Sequence, residues 1–220
     1  MPRGMTVPVD AGTPVPAADV GAWTGPVAST RFAVIDVETS GLRPDRHRLL
    51  QIGVVRTLGD GTEIDRWDTL LRAPWRPVGG RKIHGLSRRM LRGAPRLREV
   101  TDELADVLDG SVVCAHNIDF DWPFIAIGLQ RAGRTPPDAQ RVCSLALSRS
   151  LDPERTRSHR LSDLCQYYGV PLTRAHDAAA DAAATAALLP LLLAEARITA
   201  LGQLAAFGAG RTTGWISTQA

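Results

Sequence analysis

Two carboxylates, Asp36 and Glu38, end an apolar run that begins Phe32-Ala33-Val34-Ile35 and turns at Thr39-Ser40-Gly41. Such a run reads as a strand buried on both faces, and Thr-Ser-Gly reads as the turn that stops it. Side chains two apart on a strand point to one side, so both acids face a common pocket. Two unit charges about 4 Å apart repel by roughly 4 kcal/mol at an effective dielectric of 20. The pair must then hold a proton, splay into water or bind a cation. Mg²⁺ and Mn²⁺, which prefer carboxylate oxygens, would relieve the repulsion. Two exposed acids at a strand end are the alternative.

Two further groups carry similar potential. The first, "AHNIDFDWPFI", follows a fourth apolar run and joins His116, Asn117, Asp119, Phe120 and Asp121. Asn117 or Asp119 could equally cap a helix there. The second is "AHDAAADAAATAALL", where His176 precedes Asp181 by five positions. That interval does not align two side chains on one helix face, so His176 belongs to the loop and Asp181 to the first turns. Asp177 is the natural N-cap. Close packing on a sheet explains the alanines but not the acid; an exposed helix acid is the plain reading.

The elements that must position these groups follow from periodicity and punctuation. Strands are predicted at 31–37, 49–57 and 63–72, the last two joined by a turn at Asp60-Gly61. A Pro-rich loop (74–79), a short helix opened by Ser87 and an amphipathic helix over 96–109 come next. A strand at 111–116 runs into a helix ended by Gly133. A brief strand (141–143), a helix (144–150), a helix stopped by Gly169 and a long helix from Asp177 to Arg197, kinked at Pro190, complete the order. This pattern predicts an α/β fold, a mixed sheet of an antiparallel three-strand meander plus parallel strands, flanked by helices. Ligands of open sheets sit beyond the carboxyl ends of strands, where Asp36 and Glu38 lie. The expected organisation is a flexible arm (1–28), one domain (29–197) and a tail (198–220).

Composition narrows the class. The 220 residues are 44% hydrophobic, enough for one sizeable core, and the net charge of +3 permits a polyanionic partner without demanding one. Three dispersed cysteines, Cys114, Cys143 and Cys165, argue against a zinc site or disulfide framework and for a reducing compartment. The apolar stretch near Leu188 is broken by Pro190, Glu195 and Arg197, so a soluble, cytoplasmic protein is expected.

Taken in order, the motifs resemble the DEDDh branch of the 3′–5′ exonucleases, typified by the proofreading subunit of bacterial DNA polymerase III. "VIDVETSGL", "AHNIDFDWPFI" and "AHDAAADAAATAALL" match its three motifs, and "LLQIGVV", "KIHGLS" and "LSDLCQYYGV" match its intervening segments. The resemblance, over about residues 30 to 195, implies a ribonuclease H-like fold. It also implies two Mg²⁺ or Mn²⁺ ions held by Asp36, Glu38, Asp121 and Asp181, with His176 as general base. Thr39 and Leu42 would flank the terminal nucleotide, His84 and Leu86 would approach its base or sugar, and Asn117 and Phe120 would line the cleft. The basic run Arg81, Lys82, Arg88, Arg89, Arg92, Arg96 and Arg98 could guide a phosphate backbone or stand as a solvated face. The implied activity is release of nucleoside 5′-monophosphates from single-stranded or frayed DNA 3′ ends, in proofreading or repair. RNA trimming and a non-catalytic polymerase-associated module are the alternatives. A DNA polymerase is one candidate partner. "GQLAAF" at 202–207 is similar to clamp-docking peptides, although helix packing explains Gln203, Leu204 and Phe207 more simply. The pattern departs at Asp119, an added carboxylate, and at Cys143, where relatives carry an acid.

Overall fold

A computed structural model describes residues 23–72 and 79–208. Its strands are β1 (Arg31–Thr39), β2 (Leu49–Leu58), β3 (Glu63–Leu70), β4 (Val112–Ala115) and β5 (Arg141–Cys143). They form one mixed sheet in the order β3-β2-β1-β4-β5. β1, β2 and β3 pair antiparallel, while β4 and β5 add in parallel. The meander turn is closed by the Asp60 carboxylate, which accepts from the Thr62 N–H at 2.8 Å.

The helices are α1 (Arg81–His84), α2 (Arg88–Leu91), α3 (Thr101–Leu108), α4 (Ile118–Arg131), α5 (Ser144–Ser150), α6 (Leu161–Tyr168) and α7 (Ala178–Glu195). The side-chain alternation of β1 divides the core in two. Ala33, Ile35 and Val37 pack with α3 and α4, whereas Phe32 and Val34 pack with α7 on the other face. Asp36 and Glu38 share the parity of Phe32 and Val34, so they point toward the α7 side. β4 pairs with β1 only from Phe32 to Val34. Beyond that point the edge of β1 is open, and the chain from β4 turns through His116 and Asn117 into α4.

The fold class is the one expected from the sequence. The helix expected over 96–109 is divided: Leu97–Glu99 is a 3-10 turn, and Val100, at φ −126°, separates it from α3. The Glu99 carboxylate accepts from the Arg96 N–H at 3.0 Å, which tightens that first turn. The single turn α1 was not expected, being too short to show a period. α7 continues as helix through Pro190. It is long and apolar enough to cross a membrane by composition, yet just over half of it is buried inside this protein, as a core helix would be.

Parts of the expected arm and tail are packed. The Val27 N–H donates to Thr199 O and the Leu201 N–H to Gly25 O, both at 2.9 Å. Residues 1–22, 73–78 and 209–220, which carry most of the arm, the Pro-rich loop and the rest of the tail, lie outside the described residues. In "GQLAAF", Leu204 is fully buried and Gln203 Oε1 accepts from the Thr199 and Ala200 N–H groups. Those anchors are used within the fold.

Candidate active site

The open edge of β1 brings α4 to the acids. Past the last residue paired with β4, the Val37 N–H is free to donate to Asp121 Oδ1, at 3.1 Å. This bond joins the first turn of α4 to the strand that carries Asp36 and Glu38. Asp121 and Glu38 are buried and Asp36 is half-buried.

The third element arrives through a close approach of backbones. Asp36 pairs with Gly53 of β2, and a Cβ at Gly53 would lie 2.3 Å from Ala178 O and 2.7 Å from Ala179 N. Only glycine lets α7 begin so near the sheet. Gln51 Oε1 accepts from the Ala178 N–H at 3.3 Å, and the Asp177 carboxylate caps the helix through the Ala180 N–H. Asp181 is thereby buried against the strand acids. Its Oδ2 accepts from the His176 N–H at 2.9 Å, and His176 itself takes a left-handed backbone at φ 65°. Ligand atoms of Glu38, His176 and Asp181 lie within 4.8 Å of one another.

Electrostatics report the crowding. The Asp36 pKa is raised well above the carboxylate range, first by burial and then by the charges of Asp121, Asp181, Glu38 and Asp177. Burial, then Asp181 and Asp121, pushes Glu38 up to about 8. Burial lifts Asp121 to about 7 against the opposing Val37 hydrogen bond, and burial raises Asp181 as well. Asp181 Oδ1 is buried without a hydrogen-bond partner, a deficiency that a bound cation would remove. An all-carboxylate donor set with an orphaned oxygen fits hard divalent ions.

A pH prediction follows. With raised folded pKa values the native state binds more protons than the unfolded chain, so metal-free stability falls as pH rises. The fall should run from the ordinary carboxylate range, roughly pH 4, up to the value of about 8 for Glu38. Each carboxyl contributes a slope of up to about 1.4 kcal/mol per pH unit. Denaturant melts in EDTA across that range measure it. A flat profile between pH 5 and 8 contradicts the crowding.

Of the other sequence-predicted residues, Leu42 is 80% exposed on the loop after β1. Thr39 is buried and its hydroxyl donates to Gly41 O at 2.8 Å. Asn117 occupies the N-cap position of α4 without a side-chain cap bond and lines a groove beside the acids. Phe120 is half-buried, its ring 5.2 Å from that of Phe124. His84 and Leu86 turn inward. His84 Nδ1 accepts from the Leu86 N–H at 3.0 Å, so its Nε2–H donates to Gly79 O at 2.8 Å. Leu86 packs with Leu50 and Leu91.

The groove, about 770 Å³, includes His176 and Asp181 and is otherwise lined by cationic and neutral groups, among them Arg149, Arg155 and Arg160. The segment bearing Arg155 and Arg160 is tied down by Asp152. Its carboxylate accepts from the Thr156 and Arg157 N–H groups, each at 3.0 Å, and meets His159 Nε2 at 3.1 Å. These hydrogen bonds hold Asp152 well below the usual carboxylate range. His116, whose pKa burial lowers, reaches His159 O at 2.9 Å. The sequence reading missed this groove and the parts played by Gln51 and Gly53. "QIG" and "SHRLSDLC" held the available signal.

The chain is similar to several known proteins. A family model described as "Exonuclease" matches residues 33–189. The DNA polymerase III PolC-type protein of Lacticaseibacillus paracasei is 34% identical over 202 residues, covering 89% of this chain and 14% of that protein. This chain therefore spans about a seventh of that relative's length. Among solved structures, E. coli exonuclease I in complex with a dT13 oligonucleotide aligns at TM-score 0.68 and 22% identity, covering 77% of this chain and 42% of that one. The nuclease domain of 3′hExo, a DEDDh member bound to rAMP, aligns at TM-score 0.63 and 16% identity, covering 76% and 93%. At these identities the two structures establish the shared fold.

Proposed function

This chain belongs to the exonuclease family, and from that premise we propose that it is a divalent-metal-dependent 3′–5′ exonuclease acting on single-stranded or frayed DNA ends. The observation that carries the reading is the convergence of Asp36, Glu38, Asp121 and Asp181 on one crevice, with Asp181 Oδ1 left unpartnered. Similarity to a PolC-type DNA polymerase III supports DNA as substrate and a polymerase as the source of the ends trimmed.

The four acids would hold the ions, which when bound supply a hydroxide nucleophile and stabilise charge on the phosphate and the leaving oxygen. The chain's own groups do the rest. An imidazole nitrogen of His176, beside the Glu38 and Asp181 oxygens, takes the proton of the attacking water. The new O–P bond forms as the P–O3′ bond breaks, and the departing O3′ takes a proton from solvent, which frees a nucleoside 5′-monophosphate and leaves a 3′-hydroxyl. Leu42 wedges against the terminal base, and Asn117 with the basic groove orients the single strand.

The test is shortening of a 5′-labelled DNA strand from its 3′ end by the full chain with Mg²⁺ or Mn²⁺, run against an RNA strand in the same tube. No shortening of either strand refutes the reading; preference for RNA transfers it to RNA trimming. His176→Ala is expected to lower kcat about a hundredfold while keeping Mn²⁺ affinity by calorimetry. A collapse of that affinity instead makes His176 a metal ligand.

A further inference from the structure

We infer that a second pocket, on the α4 face of the sheet, binds the sugar-phosphate backbone of a single strand upstream of its 3′ end. The choice of strand rests on the exonuclease reading; the pocket's chemistry does not. Its volume is about 240 Å³ and its floor is apolar: Leu49, Leu71, Leu97 and Phe124. Gly128 makes the room, since a Cβ there would lie 2.8 Å from Leu97 Cδ2 and 3.1 Å from Leu49 Cδ1.

Around this floor stand Arg48, Arg72, Arg96, Arg98 and Arg131, and the lining contains no carboxylate. The nearby Asp45 is already paired, with Arg43 at 2.9 Å and Arg46 at 3.7 Å. Like charges gathered this way repel. The Arg131 pKa is lowered, first by burial and then by Arg48, with Asp45 opposing. An anion relieves that repulsion as a cation relieves that of the acids. Guanidinium forks match phosphate oxygens, and their planes, like the apolar floor, pack against bases. An acidic peptide offers carboxylates but no bases for the floor.

Position favours the strand as well. Leu49, in the floor, is the register partner of Thr39, the residue after Glu38. The loop between them carries the exposed Leu42 and is closed at its neck by the Ser40 N–H donating to Arg48 O at 2.9 Å. Arg131 pins the same loop by donating to Pro44 O, at 2.8 Å, and to Asp45 O. The acids point to the α7 face and the pocket opens on the α4 face, so a strand with its 3′ end at the acids reaches the arginines by crossing that loop. Of the basic run in the sequence only Arg96 and Arg98 take part; the other three come from separate elements.

The test combines Arg72→Ala, Arg96→Ala and Arg98→Ala in the full chain, leaving the loop-pinning Arg131 and Arg48 in place. Binding of a fluorescent oligothymidylate of about 20 nucleotides, longer than the ~4–16 that such grooves span, is followed in EDTA by anisotropy from low to moderate salt. Hydrolysis of the p-nitrophenyl ester of thymidine 5′-monophosphate, too small to reach the pocket, reports the acid site separately. The variant should bind the oligonucleotide about tenfold more weakly, with a salt slope shallower by about 2, from three contacts at roughly 0.7 each. Its oligonucleotide-to-ester specificity ratio should fall about tenfold. Unchanged affinity and slope, or equal losses on both substrates, overturn the inference. So does an oligoglutamate that competes more strongly than the oligonucleotide, which would make the occupant an acidic peptide. If the wild type fails to hydrolyse the ester while the variant loses oligonucleotide binding, the exonuclease reading fails and the backbone site stands.

Discussion

Asp36→Asn is expected to leave the metal-free protein more stable and its phosphodiester hydrolysis at least about a thousandfold slower, a loss of roughly 4 kcal/mol of transition-state stabilisation. Both effects have one cause. Asp36 feels Asp121, Asp181, Glu38 and Asp177 at once, and burial sharpens each repulsion. An amide of the same shape removes its charge from that group. Full repulsion between two ionised acids would be worth roughly 4 kcal/mol, but acids with raised pKa values are partly protonated near neutrality. A gain of about 1–2 kcal/mol, or roughly 2–8 °C in melting temperature, is therefore the expected size. The gain should grow with pH and vanish below about pH 4, where the acids are protonated in the folded and unfolded chains alike. Mn²⁺ should raise the wild-type melting temperature and barely move that of the variant. Thermal melts with and without metal, beside an exonuclease assay, measure all of this. A variant that melts lower than the wild type in EDTA at pH 8, or that retains activity, removes the idea that these acids are held together for a cation.

The legible and illegible parts of the molecule divide by how locally each is encoded. Asp36 and Glu38 stood out because two charges of one parity end an apolar strand, and the alternation of β1 puts them on one face. The separation of His176 from Asp181 required a loop followed by a helix, and the chain folds that way because Asp177 caps α7. Arrangements assembled from distant segments were not legible. The arginines of the second pocket come from the loop after β1, the segment after β3, the segment before α3 and the last turn of α4. The basic run legible in the sequence shares only Arg96 and Arg98 with that lining. The inward turn of His84 was hidden for a related reason, since only the Gly79 carbonyl and the Leu86 N–H use up its two ring nitrogens.

Gly53→Ala is expected to lower kcat by at least about a hundredfold although the residue touches no substrate. The added methyl would sit 2.3 Å from Ala178 O, and neither β2 nor the first turn of α7 has a flexible side chain to yield there. Either the helix start shifts outward or the strand bulges, at an overpacking cost of about 1–3 kcal/mol. Asp181 lies one turn beyond Ala178, and Asp36 is the register partner of Gly53, so any shift separates the two acids directly. A displacement of about 1 Å at a reacting centre is worth around a hundredfold in rate. The Gln51 contact to the Ala178 N–H would lengthen with it, loosening the turn that presents His176. Mn²⁺ affinity should fall in parallel, and relief of the acid repulsion should offset part of the packing cost in EDTA. The variant should thus lose less stability without metal than with it. Calorimetric titration, melts in both conditions and kcat decide the matter. A Gly53→Ala protein with wild-type kcat and Mn²⁺ affinity would show that the close approach of α7 to β2 has no part in gathering the acids.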